Sequence, residues 1–106
     1  MSRTQSLILH DIEHFVPSPA GSWRGLDSLL DELWQTKISS DCLPVLFRVF
    51  ERFPSDDGAG VFWSILHGIE STDLAYEQAL RESLGRRSSE LGQVMLYRLE
   101  KSQATE

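Results

Sequence analysis

A candidate metal-binding spelling opens near the N-terminus, at His10. His10-Asp11-Ile12-Glu13-His14 spells H-x-x-E-H, a pattern in which two histidines four apart point along one helix face toward a zinc ion while the glutamate acts as general base. A zinc hydrolase built on His10, Glu13 and His14 would also need a third protein ligand, partners that orient the histidines and a substrate cleft. None of these is legible around the first element of a 106-residue chain, and two solvated histidines explain the same spelling. Cys42 would be a nucleophile if His67 were its base, yet no spacing links the two. A small buried apolar side chain near a helix start accounts for Cys42 more simply. Gly58 and Gly60 sit in an acidic turn with no following lysine, so the phosphate cradle of a nucleotide-binding loop is missing. No catalytic residue, metal ligand or cofactor is assigned on these grounds, and a non-enzymatic role is expected.

Trp63, His67 and Glu70 stand at i, i+4 and i+7, on one stripe of a helix. That stripe is rotated away from Phe62, Ile65, Leu66 and Ile69, so a large aromatic and two polar groups share a face that the core does not require. Such a face suits a binding surface on which the tryptophan is the desolvated anchor and the carboxylate meets a basic group. The same pattern is equally explained if Trp63 packs on the last helix while His67 and Glu70 fix the register of a neighbour. Arg86-Arg87, near a helix C-terminus, complements the helix dipole.

The elements that must position these side chains are helices throughout. Leu7, Ile8, Ile12 and Phe15 recur at helical spacing from Thr4 to Val16, and Pro17 ends the run because a residue before proline avoids the helical conformation. Leu26, Leu29, Leu30, Leu33 and Trp34 form the stripe of a second helix. Ser39 or Ser40 is placed to cap a third, with Asp41 and Pro44 in its first turn, Leu43, Leu46, Phe47, Val49 and Phe50 inward, and Phe53-Pro54 closing it. Val61 to Ile69 make a fourth helix, the most apolar and therefore expected to be the most central. Ser71 or Thr72 is placed to cap a fifth, with Leu74, Ala75, Ala79, Leu80 and Leu84 inward and its end at Gly85. Ser88 or Ser89 caps a sixth, with Leu91, Val94, Met95 and Leu99 inward, fraying over residues 102 to 106. About six helices with short connections pack as antiparallel hairpins in one all-α domain spanning residues 1 to 106. A shift of 33 residues lays helices three and four on five and six, which fits a short HEAT-like or TPR-like stack as well as an irregular bundle.

Composition bounds what such a domain does. One cysteine excludes a disulfide framework. The longest apolar stretches are far short of the roughly 18 residues that span a membrane, and no signal-peptide core opens the chain, so a cytoplasmic location with no membrane partner is expected. The net charge of −6 repels phosphate backbones and argues against nucleic acid as a direct ligand. Residues 1–40 carry −2, residues 41–80 carry −5 and residues 81–106 carry +1. The acidic middle, with Asp56, Asp57, Glu70, Asp73 and Glu77, attracts a basic partner and speeds its encounter.

The run Val61-Phe62-Trp63-Ser64-Ile65-Leu66-His67-Gly68-Ile69-Glu70 carries a further signal together with Tyr76, Ala79, Leu80, Ser83, Leu84, Ser89-Glu90-Leu91 and Met95-Leu96-Tyr97-Arg98-Leu99. This segment resembles the small all-helical, HEAT-like immunity proteins encoded beside bacterial polymorphic toxins, including those of contact-dependent growth inhibition. The resemblance covers a little over half the chain and implies a cytoplasmic, non-enzymatic protein that binds a toxin domain and blocks its active site. A toxin nuclease has a basic cleft, so an acidic inhibitor has the matching sign. The expected partner is therefore a cognate basic toxin domain, bound one-to-one through Asp56, Asp57, Trp63, His67, Glu70, Asp73, Glu77 and Tyr97. A helical adaptor in another cytoplasmic assembly would show the same features.

Overall fold

In the computed structural model, which describes residues 4–19, 21–72 and 74–104, six α-helices account for most of the chain. They are α1 (Gln5–Glu13), α2 (Arg24–Trp34), α3 (Cys42–Arg52), α4 (Val61–Glu70), α5 (Glu77–Arg86) and α6 (Glu90–Ala104). There is no strand among the described residues. The all-α expectation and the helix number hold.

Packing follows chain order. α1 pairs with α2, α3 with α4 and α5 with α6, and each hairpin then stacks on the next. The odd helices form one layer, in which α3 lies between α1 and α5. The even helices form the other, in which α4 lies between α2 and α6. α3 also touches α6, whereas no helix of the first hairpin packs on a helix of the third. The principal extents are 42, 30 and 21 Å, so the stack is flattened.

α3 is the hub, in place of the expected α4. Its Cys42, Leu43, Leu46, Phe47, Val49 and Phe50 are all buried, and it packs against α1, α4, α5 and α6. α4 is apolar because it too is covered on one side, by Phe62, Ile65, Leu66 and Ile69, but its other side faces out. At the top of the even layer Trp23 meets the rings of Phe53 and Phe62 edge-on, at 5.1 and 5.3 Å between centroids. Edge-to-face contacts of this kind bring positive ring edges onto negative faces.

Two glycines make close approach possible. Gly58 has a positive φ of 58°, and a Cβ there would stand 2.7 Å from the Phe62 ring. Gly68 lies inside α4 directly beneath the indole of Trp34, where a Cβ would overlap the ring. Glycine within a helix costs about 1 kcal/mol against alanine, and this contact between α2 and α4 is its compensation.

Helix boundaries depart from expectation where hydroxyls and guanidinium groups compete for backbone groups. α1 ends at Glu13, not Val16, because Arg52 takes the carbonyl oxygens of Ile12 and Phe15 at 2.8 and 2.7 Å. Neither Ser39 nor Ser40 caps α3 through its side chain. Asp41 holds that position without a side-chain hydrogen bond, and the Ser39 hydroxyl lies 3.9 Å from the Cys42 sulfur.

Ser71 and Thr72 do not start α5 either. Their hydroxyls donate back to the carbonyls of Gly68 and Ile69, which terminates α4. α5 begins only at Glu77, so Leu74 and Ala75 precede it, and it runs one residue past Gly85. Ser89 does cap α6, accepting the Gly92 N–H at 3.1 Å. α6 continues through Ala104 and does not fray at 102, while residues 105 and 106 lie outside the described residues.

A candidate interaction face on α4 and α6

α4 offers solvent a stripe of its own. Trp63 is 38% exposed on the helix's outer side. The His67 ring, one turn further on and also exposed, sits 6.1 Å from the indole at a tilt of 34°. Another turn brings Glu70, half-buried, whose carboxylate accepts two hydrogen bonds from the Arg98 guanidinium of α6 at 2.8 and 2.9 Å. This fork-on-fork pair fixes α6 against α4 and neutralises Glu70 within the fold.

Arg98 belongs to the wall of a shallow depression of about 650 Å³ lined by Glu70, Tyr76, Tyr97, Arg98, Leu99 and Lys101. Tyr97 is 64% exposed, and the Lys101 ammonium stands over its ring at 5.8 Å. Tyr76 is half-buried. Burial first, and then the Glu70 carboxylate, push its hydroxyl above the ordinary tyrosine value, with Arg98 opposing them. It therefore stays protonated and able to donate a hydrogen bond. Trp63, His67, Glu70 and Tyr97 are thus carried by two packed helices, and Glu70 and Tyr97 line one depression.

The other expected contact residues lie elsewhere. Asp56 and Asp57 precede the opposite end of α4, about 15 Å from Glu70 by helical rise. Their side chains accept the N–H groups of Gly58 and Ala59 and shape the turn, and both remain exposed. Glu77 binds Arg81 one turn along α5, and Arg81 also approaches Glu100 of α6 at 3.6 Å. Asp73 lies outside the described residues. The acidic middle of the sequence is therefore dispersed: among the described residues of this group, Glu70 and Glu77 are engaged with arginines, while Asp56 and Asp57 carry charge that no arginine meets.

The remaining chemistry-bearing residues have structural partners. His10 and His14 stack ring to ring at 4.3 Å, and His14 Nδ1 lies 2.8 Å from the His10 carbonyl. Glu13 accepts both its hydrogen bonds from Arg48 of α3, at 2.6 and 2.9 Å. Among the described residues no group of three His, Cys, Asp or Glu side chains is placed to hold a metal ion. Cys42 is fully buried in the first turn of α3, while His67 stands in the open on α4. Arg86 does more than complement a helix dipole. It grips Glu51 of α3 at 3.0 and 3.1 Å, with Ser83 adding a 2.7 Å hydrogen bond to the same carboxylate.

Tyr76 is a ring that the sequence already offered to a partner beside Trp63 and Tyr97, whereas Arg98 and Lys101, which complete the depression, did not stand out as site residues. The spacing of Tyr97 and Lys101, i to i+4 on one helix face, is the signal that could have found part of it. No helix is long and apolar enough to cross a membrane among the described residues. No protein family, curated protein or solved structure matches the chain.

Proposed function

We propose that this protein works by binding another macromolecule through the α4–α6 face, and that its partner is a basic toxin domain, probed most directly as the one encoded beside it. The observation that carries the reading is the exposure of Trp63 on a helix whose other side is sealed into the core. Leaving an indole in water is unfavourable by about 25 cal/mol per Å² of apolar surface. A partner that covers Trp63 recovers that energy, and Trp is the side chain most enriched among residues that dominate interface affinity.

Electrostatics supplies a secondary contribution. Asp56 and Asp57 lead into the same helix and are exposed, so they steer a basic partner without being buried. Glu70 acts indirectly, by holding Arg98 and hence the wall beside Tyr97.

The test is rescue of growth together with binding. Cells producing the neighbouring toxin domain survive with the wild-type chain, and Trp63→Ala weakens the complex by about 30-fold or more, the size of a dominant anchor. Asp56→Asn with Asp57→Asn, which removes both charges and keeps an oxygen to accept the turn's N–H groups, slows association and leaves dissociation nearly unchanged. Tight binding without relief of toxicity would instead make the chain an adaptor, and unaltered affinity in both variants would remove this face from the account.

A further inference from the structure

On the other layer, six charged side chains converge along α3, between α1 and the end of α5. Glu13, Arg48, Glu51, Arg52, Arg86 and Arg87 line an open depression of about 440 Å³. Four guanidinium groups against two carboxylates leave a local charge of +2 in a chain whose net charge is −6. The two carboxylates are each used by one arginine: Glu13 by Arg48 and Glu51 by Arg86. Each clamp engages Nε and Nη2 and leaves Nη1 outside the pair.

The surplus cations are Arg52 and Arg87. Arg52 donates both Nη groups to the carbonyls of Phe15 and Ile12, which are neutral acceptors and do not cancel its charge. Its Nε is buried and has no hydrogen-bond partner. Burial, together with the like charge of Arg48, disfavours the Arg52 cation, and only Glu13 opposes this. Arg87 follows the last turn of α5 in an extended conformation and is exposed. The unpartnered Arg52 Nε adds to the cost of holding this cation here, and crowded guanidinium groups repel one another. An anion in the depression offsets that repulsion.

We propose that this depression binds a compact oxyanion of the phosphate class, with Arg87 closing over it and Arg52 and Arg86 forming its floor. Arginine presents planar pairs of N–H donors that match phosphate oxygens. The distant carboxylates do not forbid such binding, because at physiological salt their field is screened beyond about 8 Å. The depression lies on the odd layer and the Trp63 stripe on the even one, so the two surfaces do not overlap.

The experiment is a titration of the full chain with inorganic phosphate at constant ionic strength set by chloride, following the arginine Nε–H and backbone amide resonances. The expected result is a saturable shift confined to residues around Arg52, Arg86 and Arg87. Arg87→Gln, which touches no ion pair among the described residues, weakens it about 5-fold or more, and Arg24→Gln, which makes the same change in net charge on α2, leaves it intact. Shifts that only follow chloride, or equal losses in the two variants, would overturn the proposal. Binding of an oligoglutamate peptide with no response to phosphate would overturn it as well, by assigning the cluster to an acidic protein segment.

Discussion

The odd and even layers are held together by different means. Along α1, α3 and α5, guanidinium groups bridge neighbouring helices: Arg48 to Glu13, Arg86 to Glu51, and Arg52 to the carbonyls that end α1. Along α2, α4 and α6, aromatic contact does most of this, through Trp23 on Phe62 and Trp34 on Gly68, with one clamp from Glu70 to Arg98. The exposed aromatic side chains, Trp63 and Tyr97, both belong to the even layer among the described residues. Polar ties leave the surface of the odd layer charged and wet, whereas the layer tied by ring packing also carries the exposed rings. The two proposed surfaces divide in the same way, the partner face on the even layer and the anion site on the odd one.

The even layer closes on one ring, and removing it has the largest expected effect. Phe62→Ala, fully buried between Trp23, Phe50 and Phe53, is expected to cost about 3–5 kcal/mol in denaturant unfolding. A smaller loss would show that the even layer does not depend on its aromatic cluster. Next comes Gly68→Ala, which forces Trp34 to move. The expected loss is about 1–3 kcal/mol in spite of the better helix propensity of alanine, and a gain in melting temperature would refute the close approach.

The odd layer is tested by acid. The hydrogen bond from Arg48 holds the Glu13 carboxyl below its ordinary value of 4.5. For Glu51, burial favours the neutral acid, but Arg86 and Ser83 together outweigh it and the net displacement is also downward. The folded state therefore binds fewer protons than the unfolded one as pH approaches 4.5 from above. The stability these groups confer is full above that value and disappears as pH falls through and below it. Unfolding midpoints between pH 7 and 3 are expected to fall less steeply in a Glu13→Gln, Glu51→Gln double variant, and an unchanged slope would count against the clamps. The smallest effect on stability belongs to Trp63→Ala. Because this indole is 38% exposed and its ring neighbour, His67, is exposed as well, the change should be about 1 kcal/mol or less, while the effect on partner binding is large. A bigger stability loss would mean that Trp63 is part of the core after all.

Much of this organisation is legible in the sequence, and the exceptions have identifiable causes. All five apolar positions expected to face inward on α3 are buried, because a helix enclosed on several sides obeys its periodicity. The exposed position of Trp63 follows from its angle to Phe62 and Ile65. Ser71 and Thr72 misled because a hydroxyl beside a helix can accept from the next helix or donate to the previous one, and the two uses look the same in sequence. Trp23 escaped notice because it precedes the stripe of its own helix. The clamps Glu13–Arg48 and Glu51–Arg86 join residues 35 apart, a relation that only the stacking of hairpins creates. Gly68 carried a usable clue, since a glycine in the interior of an apolar helix asks for a neighbour that needs the space.

Among the described residues the first and third hairpins do not pack on one another, so the two ends of the molecule communicate only through α3 and α4. Damage to that middle pair is expected to uncouple the ends, whereas damage to an outer hairpin stays local, as in a row of repeats that each touch only their neighbours.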